Sequence, residues 1–309
     1  LYEFFGIVTN LVGGWLAARL GLNVTMHLGL LLQVIALAML LVDPQWLTVA
    51  YVMVAQALSG IAKDLNKMSA KSSIKMLVAD NAQSTLFKWI SILTGSKNAL
   101  KGVGFFVGAA LLSWIGFRGA ILTMAVLLLV VLIFSIVMLQ RDLGKAKNKP
   151  KFSDIWSKSA PVNHLSLARF FLFGSRDIWF VVALPVFLHA QLQWPPIYVG
   201  GLLAAWVIAY GIVQALAPKL TGFSRQNAPD GYHVWLWSLP LFVLPLLIGA
   251  AVYFEWAVIP ALTVGLLIYG AIFAINSAIH SYLIVSYADA AGVSLDVGFY
   301  YMANAAGRL

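Results

Sequence analysis

Residues 119–139, GAILTMAVLLLVVLIFSIVML, run for 21 positions without a charge. An α-helix needs about 20 apolar residues to cross the hydrocarbon layer of a bilayer. No water reaches the backbone there, so its polar groups must pair within the segment, as they do in a helix. This run is one of ten apolar segments, near 1–18, 24–42, 46–63, 86–115, 118–139, 163–190, 196–217, 233–254, 256–284 and 293–309. The chain of 309 residues is 61% hydrophobic and 10% charged, whereas soluble domains carry about 25% charged residues. The expected class is an all-α polytopic membrane protein. A β-barrel would show short alternating segments instead. The first and last segments look cut, so the sequence reads as a fragment.

The net charge of +9 would suggest nucleic acid for a soluble protein, but the positions of the charges point elsewhere. Loops that follow the first, third, fifth and seventh segments hold 14 of the 20 basic residues, and the even-numbered loops hold only Arg118. Cytoplasmic loops of membrane proteins are enriched in Lys and Arg, so the odd loops are expected to be cytoplasmic. The fifth, QRDLGKAKNKPKFSDIWSKS, is the longest and holds Arg141, Lys145, Lys147, Lys149, Lys151 and Lys158; the seventh holds Lys219 and Arg225. Lys63, Lys67, Lys71 and Lys75 recur every four residues, which on a helix makes one stripe. The apolar segment is exhausted near Ala62, so this stripe is expected beyond the membrane boundary. There it would meet lipid headgroups or form a cytoplasmic vestibule (Lys63, Lys67, Lys71) that draws in polyanions. Asp64 and Asn66 lie off the stripe, which would leave Lys63 and Lys67 free.

With no cysteine, disulfides, thiolate metal sites and a Cys nucleophile are excluded. The five histidines show no metal-ligand spacing and no HExxH occurs, so neither metal nor cofactor is expected, and no catalytic constellation marks an enzyme.

Weak repeats relate the two sides of the fifth loop. GWLAARLG (14–21) matches QALAPKLT (214–221), LTVAYVMVAQALSGIA (47–62) matches LTVGLLIYGAIFAINS (262–277), and ADNAQSTL (79–86) matches ADAAGVSL (288–295). The offsets are near 200, 215 and 209. They imply two parallel copies of one bundle: a first half over 1–140, a basic cytoplasmic linker over 141–162 and a second half over 163–309. Two such six-helix halves resemble the major facilitator plan, which would make this a fragment with about ten of twelve helices, lacking the first and truncated in the eleventh.

Charges within apolar runs are expensive and usually face a wet cavity. Lys97 and Lys101, four apart with Asn98 beside them, lie about 16 and 22 Å along a helix from Leu86. Arg169, Arg176 and Asp177 interrupt the segment 163–190. Asn276, His280, Tyr300, Tyr301, Asn304 and Arg308 are polar positions of the second half. Candidate substrate-binding residues are thus Lys97, Asn98, Lys101, Arg169, Arg176, Asn276 and Asn304. They would form a cationic cavity in which Arg binds phosphate-like oxygens through two bonds and Lys acts as a point charge. The alternative is that Arg176 and Asp177 only balance charge, and that the asparagines only bond between helices. Glu3 and Asp177 are the acids inside the span and the candidates for carrying a coupling proton. Gly104 and Gly108, spaced as GxxxG, suggest a close helix contact.

GGWLAARLGLN resembles the loop signature of the major facilitator superfamily at Gly14, Arg19 and Gly21, with Ala18 where an acid is usual and Leu22 and Asn23 where bases are usual. YEFFGIVTNLVGGWLAARLGLN, AQALSGIAKDLNKMSAKSSIK, LTGSKNALKGVGFF and RFFLFGSRDIWFVVALPVFL resemble the organoarsenical efflux permeases (the ArsJ family) of that superfamily. This resemblance implies export of 1-arseno-3-phosphoglycerate by alternating access, arsenate resistance, a functional link to a glyceraldehyde-3-phosphate dehydrogenase, and a multi-pass place in a bacterial inner (plasma) membrane. A transporter for another organic anion or phosphate ester, a drug/proton antiporter and a membrane-embedded enzyme are the alternatives. The expected partners are a small anionic solute and the lipid bilayer, and no nucleic acid.

Overall fold

The computed structural model describes residues 2–139, 143–146, 149–156, 159–223, 228–289 and 292–309, with the side chains of Tyr2 and Glu3 excepted. Arg141, Lys147, Lys158 and Arg225 of the basic loops, and the Glu3 side chain, lie outside the described residues. Every regular element among the described residues is a helix, with no strand. In chain order the helices are α1 (Tyr2–Leu20), α2 (Leu22–Met39), α3 (Val49–Leu77), α4 (Gln83–Met138), α5 (Ala160–Asp177), α6 (Leu184–Ala190), α7 (Pro196–Thr221), α8 (Gly231–Tyr253), α9 (Val258–Tyr287) and α10 (Val293–Ala306).

Among the described residues, six helical stretches are long and apolar enough to cross a membrane: Leu22–Met39, Gln83–Met138, Ala160–Ala190, Pro196–Thr221, Gly231–Tyr253 and Val258–Tyr287. Helix α4 is broken at Gly116, whose φ of 69° and ψ of 177° belong to a region open to glycine alone. That break separates the apolar segments read at 86–115 and 118–139. Past it, α4 touches α2 through Ile121 and Ala125 against Leu37 and leaves Leu127, Val130, Phe134 and Val137 exposed, as a helix bathed in lipid should.

Two features add to the sequence expectation. Helix α3 runs on past the end of its apolar segment near Ala62. No proline and no glycine after Gly60 interrupts it, and it continues to Leu77, so the whole lysine stripe is helical. The segment 163–190 is one path with a flaw: α5 passes into α6 through a π-helical turn, Ile178–Ala183, directly after Asp177. The GxxxG expectation fails. A methyl group at Gly104 or Gly108 would meet nothing within 4 Å among the described residues.

The described residues form two compact units, and each draws on residues from both sides of the linker. Unit 1 holds Leu1–Leu77, Val107–Val182 and Tyr287–Leu309; unit 2 holds Val78–Phe106 and Ala183–Ser286. In unit 1, α10 packs against α1, α3 and α5, and α2 lies along α3. A methyl group at Gly14 would sit 2.6 Å from the Ser294 carbonyl oxygen and 3.4 Å from the Gly298 Cα, so α1 and α10 touch backbone to backbone. The Ser294 hydroxyl donates to the Gly14 carbonyl at 2.9 Å. In unit 2, Gly95 of α4 and Gly211 of α7 face each other in the same manner. Trp206 of α7 donates its indole N–H to the Leu266 carbonyl of α9 at 2.8 Å.

The linker is tied to the α1–α2 turn in unit 1. Leu22 N–H donates to the Leu143 carbonyl at 2.8 Å and Ala146 N–H to the Ala18 carbonyl at 2.9 Å. The Trp15 indole donates to the Pro150 carbonyl at 3.1 Å, and its ring meets Phe152 edge to face at 5.5 Å. Ala18, where an acid is usual in the resembling signature, is buried beneath this strap.

In unit 2 the N-terminus of α8 is capped by Asp230. Its carboxylate accepts from the His233 backbone N–H at 3.3 Å and lies 2.7 Å from the His233 ring. The contacts with His233 hold the Asp230 carboxyl below its usual value. A depressed carboxyl pKa makes the cap's contribution fully present above about pH 4 and lost as pH falls through the lowered value. Asp230→Ala should cost about 1 kcal/mol at neutral pH, with the difference from the parent shrinking at acid pH in detergent melts.

Candidate functional site

Three helical stripes converge in unit 1. On α3, Asp64, Lys67 and Lys71 stand at i, i+3 and i+7; on α5, Arg169, Phe173 and Arg176 stand at i, i+4 and i+7. Both spacings put three side chains on one face. On α10 and just beyond it, Tyr301, Asn304 and Arg308 repeat the pattern, with Tyr300 beside them. Because α10 packs against both α3 and α5, its stripe is the hinge of the cluster.

The contacts are specific. Lys67 Nζ donates to Asp64 Oδ1 at 2.7 Å, and Asn10 of α1 donates to Asp64 Oδ2 at 3.2 Å. The ammonium groups of Lys67 and Lys71 stand 4.0 and 5.0 Å from the centre of the Tyr301 ring. The Arg169 guanidinium covers Phe173 at 3.6 Å and Tyr300 at 5.2 Å, and that of Arg176 approaches Phe173 from 4.5 Å. Arg176 Nε donates to Asp177 Oδ1 at 2.6 Å. The other Asp177 oxygen accepts from Arg308. Arg169 and Arg308 are close enough to Lys67 to repel its charge.

Burial makes this arrangement unusual. Lys71 is 2% exposed and Arg169 4%. Among the described residues, five basic side chains (Lys67, Lys71, Arg169, Arg176, Arg308) gather with two carboxylates, Asp64 and Asp177. A cation over an aromatic face gains about 0.5–2 kcal/mol, while a charge at the centre of a membrane helix costs about 2.5–3.5 kcal/mol. The rings offset part of that cost, and the positive surplus is complementary to an anion. Two buried polar atoms on the same helices, Asn304 Nδ2 and Ser166 Oγ, have no hydrogen-bond partner among the described residues.

Of the residues singled out in the sequence, the structure brings Arg169, Arg176 and Asp177 into this cluster and sets Asn304 on its α10 stripe. It corrects the reading of the lysines. Lys71 is buried, and Lys67 is engaged by Asp64 and so is not free; among the three vestibule candidates only Lys63 is exposed. A headgroup-facing stripe does not describe Lys67 and Lys71. Asp177 is held by two guanidinium groups. Asn10 and Asp64 went unassigned in the sequence. The signal for Asp64 was the i, i+3, i+7 pattern running from it through the lysines; Asn10 joins it only through the fold.

The remaining candidates lie in unit 2. Lys97 and Lys101 are exposed on α4. Asn98 donates to Gln214 Oε1 at 2.6 Å, and Gln214 donates on to Ser277 Oγ at 3.2 Å. Asn276 donates to Ser238 Oγ at 3.1 Å, and His280 is buried on α9. Gln214, fully buried at the centre of this relay, was missed, although it is an isolated polar residue in an apolar segment. Gly14 and Gly21 act through backbone geometry: Gly14 at the α10 crossing, and Gly21, at φ 103°, at the turn into α2. Arg19 lies 4.8 Å from the Trp15 ring. Among the described residues no group of His, Cys, Asp and Glu could hold a metal ion.

The sequence profile of the Major Facilitator Superfamily matches residues 1–309. Among solved structures, the chain is similar to the human organic anion transporter MFSD10 (TETRAN), with a TM-score of 0.76 at 16% identity over 99% of this chain and 74% of that one. It is also similar to the proton:xylose symporter XylE, with a TM-score of 0.75 at 14% identity over 98% and 75%. A bacterial homologue of the iron transporter ferroportin, in an outward-facing state, gives a TM-score of 0.68 at 16% identity over 99% and 80%. No curated protein matches the chain in sequence.

Proposed function

The chain belongs to the Major Facilitator Superfamily, and from that premise we propose that this transporter moves a small, multiply charged organic anion, with the unit 1 cluster as its anion site. The observation that carries this reading is the gathering of five basic side chains, Lys67, Lys71, Arg169, Arg176 and Arg308, in one cluster, with Lys71 and Arg169 buried in it. A sugar or an apolar drug has no use for it. The similar structures include an organic anion transporter, a sugar symporter and a homologue of an iron transporter, so fold alone does not select a solute.

The finer reading is efflux of an arsenylated phosphoglycerate, following the likeness to the organoarsenical permeases. Such a solute carries an arsenate and a phosphate group, and guanidinium forks suit both. Arg169 and Arg176 would hold its oxygens, Lys67 and Lys71 would add charge, and Asn304 would give directional hydrogen bonds. Lys97, Asn98, Lys101 and Asn276 remain candidates for contact with the solute in unit 2. Asp177 and Glu3 remain candidates for proton coupling. The basic loops fit a cytoplasmic side, and a bacterial inner membrane and a dehydrogenase supplying the solute belong to this finer reading.

The test is arsenate resistance in sensitive cells expressing the intact protein, with and without a glyceraldehyde-3-phosphate dehydrogenase. Resistance that requires the dehydrogenase is expected; its absence removes the organoarsenical reading. Uptake of a phosphate ester into everted vesicles then separates the general anion reading from the specific one. Transport of the ester without resistance selects another organic anion as the solute.

A further inference from the structure

A second cationic site lies away from the cluster, where the linker strap crosses the end of α1. A cavity of about 220 Å³ opens there, lined by Trp15, Leu16, Arg19, Leu20 and Lys149. Its walls are apolar on the α1 side, and its two charged members are both basic. Arg19 reaches over the Trp15 ring at 4.8 Å. Neither Arg19 nor Lys149 has a carboxylate partner among the described residues. Lys149 is brought to α1 by the strap on both sides of it, through the Ala146–Ala18 hydrogen bond before and the Trp15–Pro150 hydrogen bond after. The cavity therefore exists only while the linker is docked.

Depth decides what can reach it. Helix α1 is apolar from Phe4 to Leu20, and Arg19 stands in its last turn, beside the basic linker. That is the level of the headgroups on the basic face of a membrane protein, where anionic lipids concentrate. A guanidinium and an ammonium facing one small space favour a phosphate-type anion. Leu16, Leu20 and the Trp15 ring favour a neighbouring hydrocarbon chain. The volume lies below that of drug-sized pockets, about 300–1,000 Å³, so the site takes a headgroup and leaves the chains outside.

We propose that Trp15, Arg19 and Lys149 form a site for a phosphate-type anion at the membrane surface, which when filled fastens the linker to α1. The anion can come from an anionic phospholipid or from free phosphate, and the two sources are separable. The intact transporter in nanodiscs of phosphatidylcholine is supplied with phosphatidylglycerol, and bound lipid is counted by native mass spectrometry, with and without millimolar inorganic phosphate. Each cation near an anionic surface contributes about a 5-fold gain in affinity. Lys149→Gln should therefore lose about 5-fold, and Arg19→Gln with Lys149→Gln about 30-fold. Lys149 is exposed on the strap, so its single replacement tests the site without risk to the fold. Retention of phosphatidylglycerol in the presence of phosphate identifies the lipid; displacement by phosphate, with phosphate itself binding the parent and not the double variant, identifies the free ion. Equal binding of both probes by the parent and both variants overturns the site.

Discussion

An Arg169→Gln protein should reach the membrane folded and carry its anionic solute about 100-fold more slowly than the parent. A hydrogen bond to a charged group contributes about 1.5–3 kcal/mol, and losing about 2.8 kcal/mol of it is a factor of 100. Both carboxylates of the cluster keep their partners in this variant: Asp177 keeps Arg176 and Arg308, and Asp64 keeps Lys67 and Asn10. Arg169→Lys should recover part of the rate, since charge is restored and the fork is not. Asp177→Ala is the contrasting case. It removes the carboxylate that Arg176 and Arg308 share, and breaking such a pair costs about 3–5 kcal/mol when buried, so stability should fall along with transport. The measurements are initial uptake into everted vesicles and the melting temperature in detergent. Arg169→Gln transporting at the parent rate would sink the anion site.

Gly14→Leu should separate α1 from α10 and lower stability by about 3 kcal/mol, and Gly14→Ala should do the same to a smaller degree. The first added carbon already sits 2.6 Å from the Ser294 carbonyl oxygen. That atom is backbone and cannot rotate away. Overpacking of this kind costs about 1–3 kcal/mol, and the larger variant also displaces the Ser294 hydroxyl from the Gly14 carbonyl. The natural chain has no cysteine, so a pair introduced on α1 and α10 reports the crossing without background. Cross-linking in the parent and its loss in Gly14→Leu is the expected result. An unchanged melt together with unchanged cross-linking would mean that the crossing yields freely.

Hydropathy located the helices because a lipid-facing surface must be apolar whatever it packs against. The same signal marked where the apolar length of α3 runs out and said nothing of what the helix meets beyond it. Past Ala62 that helix faces protein, and its lysines find Asp64 and the Tyr301 ring, a partner more than 200 residues away in sequence. No local pattern reveals such a partner. Arg169 and Arg176 were legible as candidates because a charge inside an apolar run is anomalous on its own. Lys67 and Lys71 were not, because a lysine after an apolar run has an ordinary explanation at the headgroups. Gly104 and Gly108 show the opposite error: a spacing suited to close packing occurs where nothing packs, while the tight approach falls at Gly95.

The glycine crossings have a mechanical consequence. At Gly14–Gly298 and at Gly95–Gly211 one backbone rests on another, and each pair joins a residue before the linker to one after it. Side chains that interlock must be lifted out of their sockets before two helices can tilt, whereas smooth backbones can pivot in place. These crossings are plain bearings: they fix the spacing of the moving parts and offer little friction to rotation. On the proposed anion reading, the grip made and released on each stroke falls mainly to charged and polar side chains such as Arg176, Arg308 and Asp177, and solute charge would be geared to helix motion.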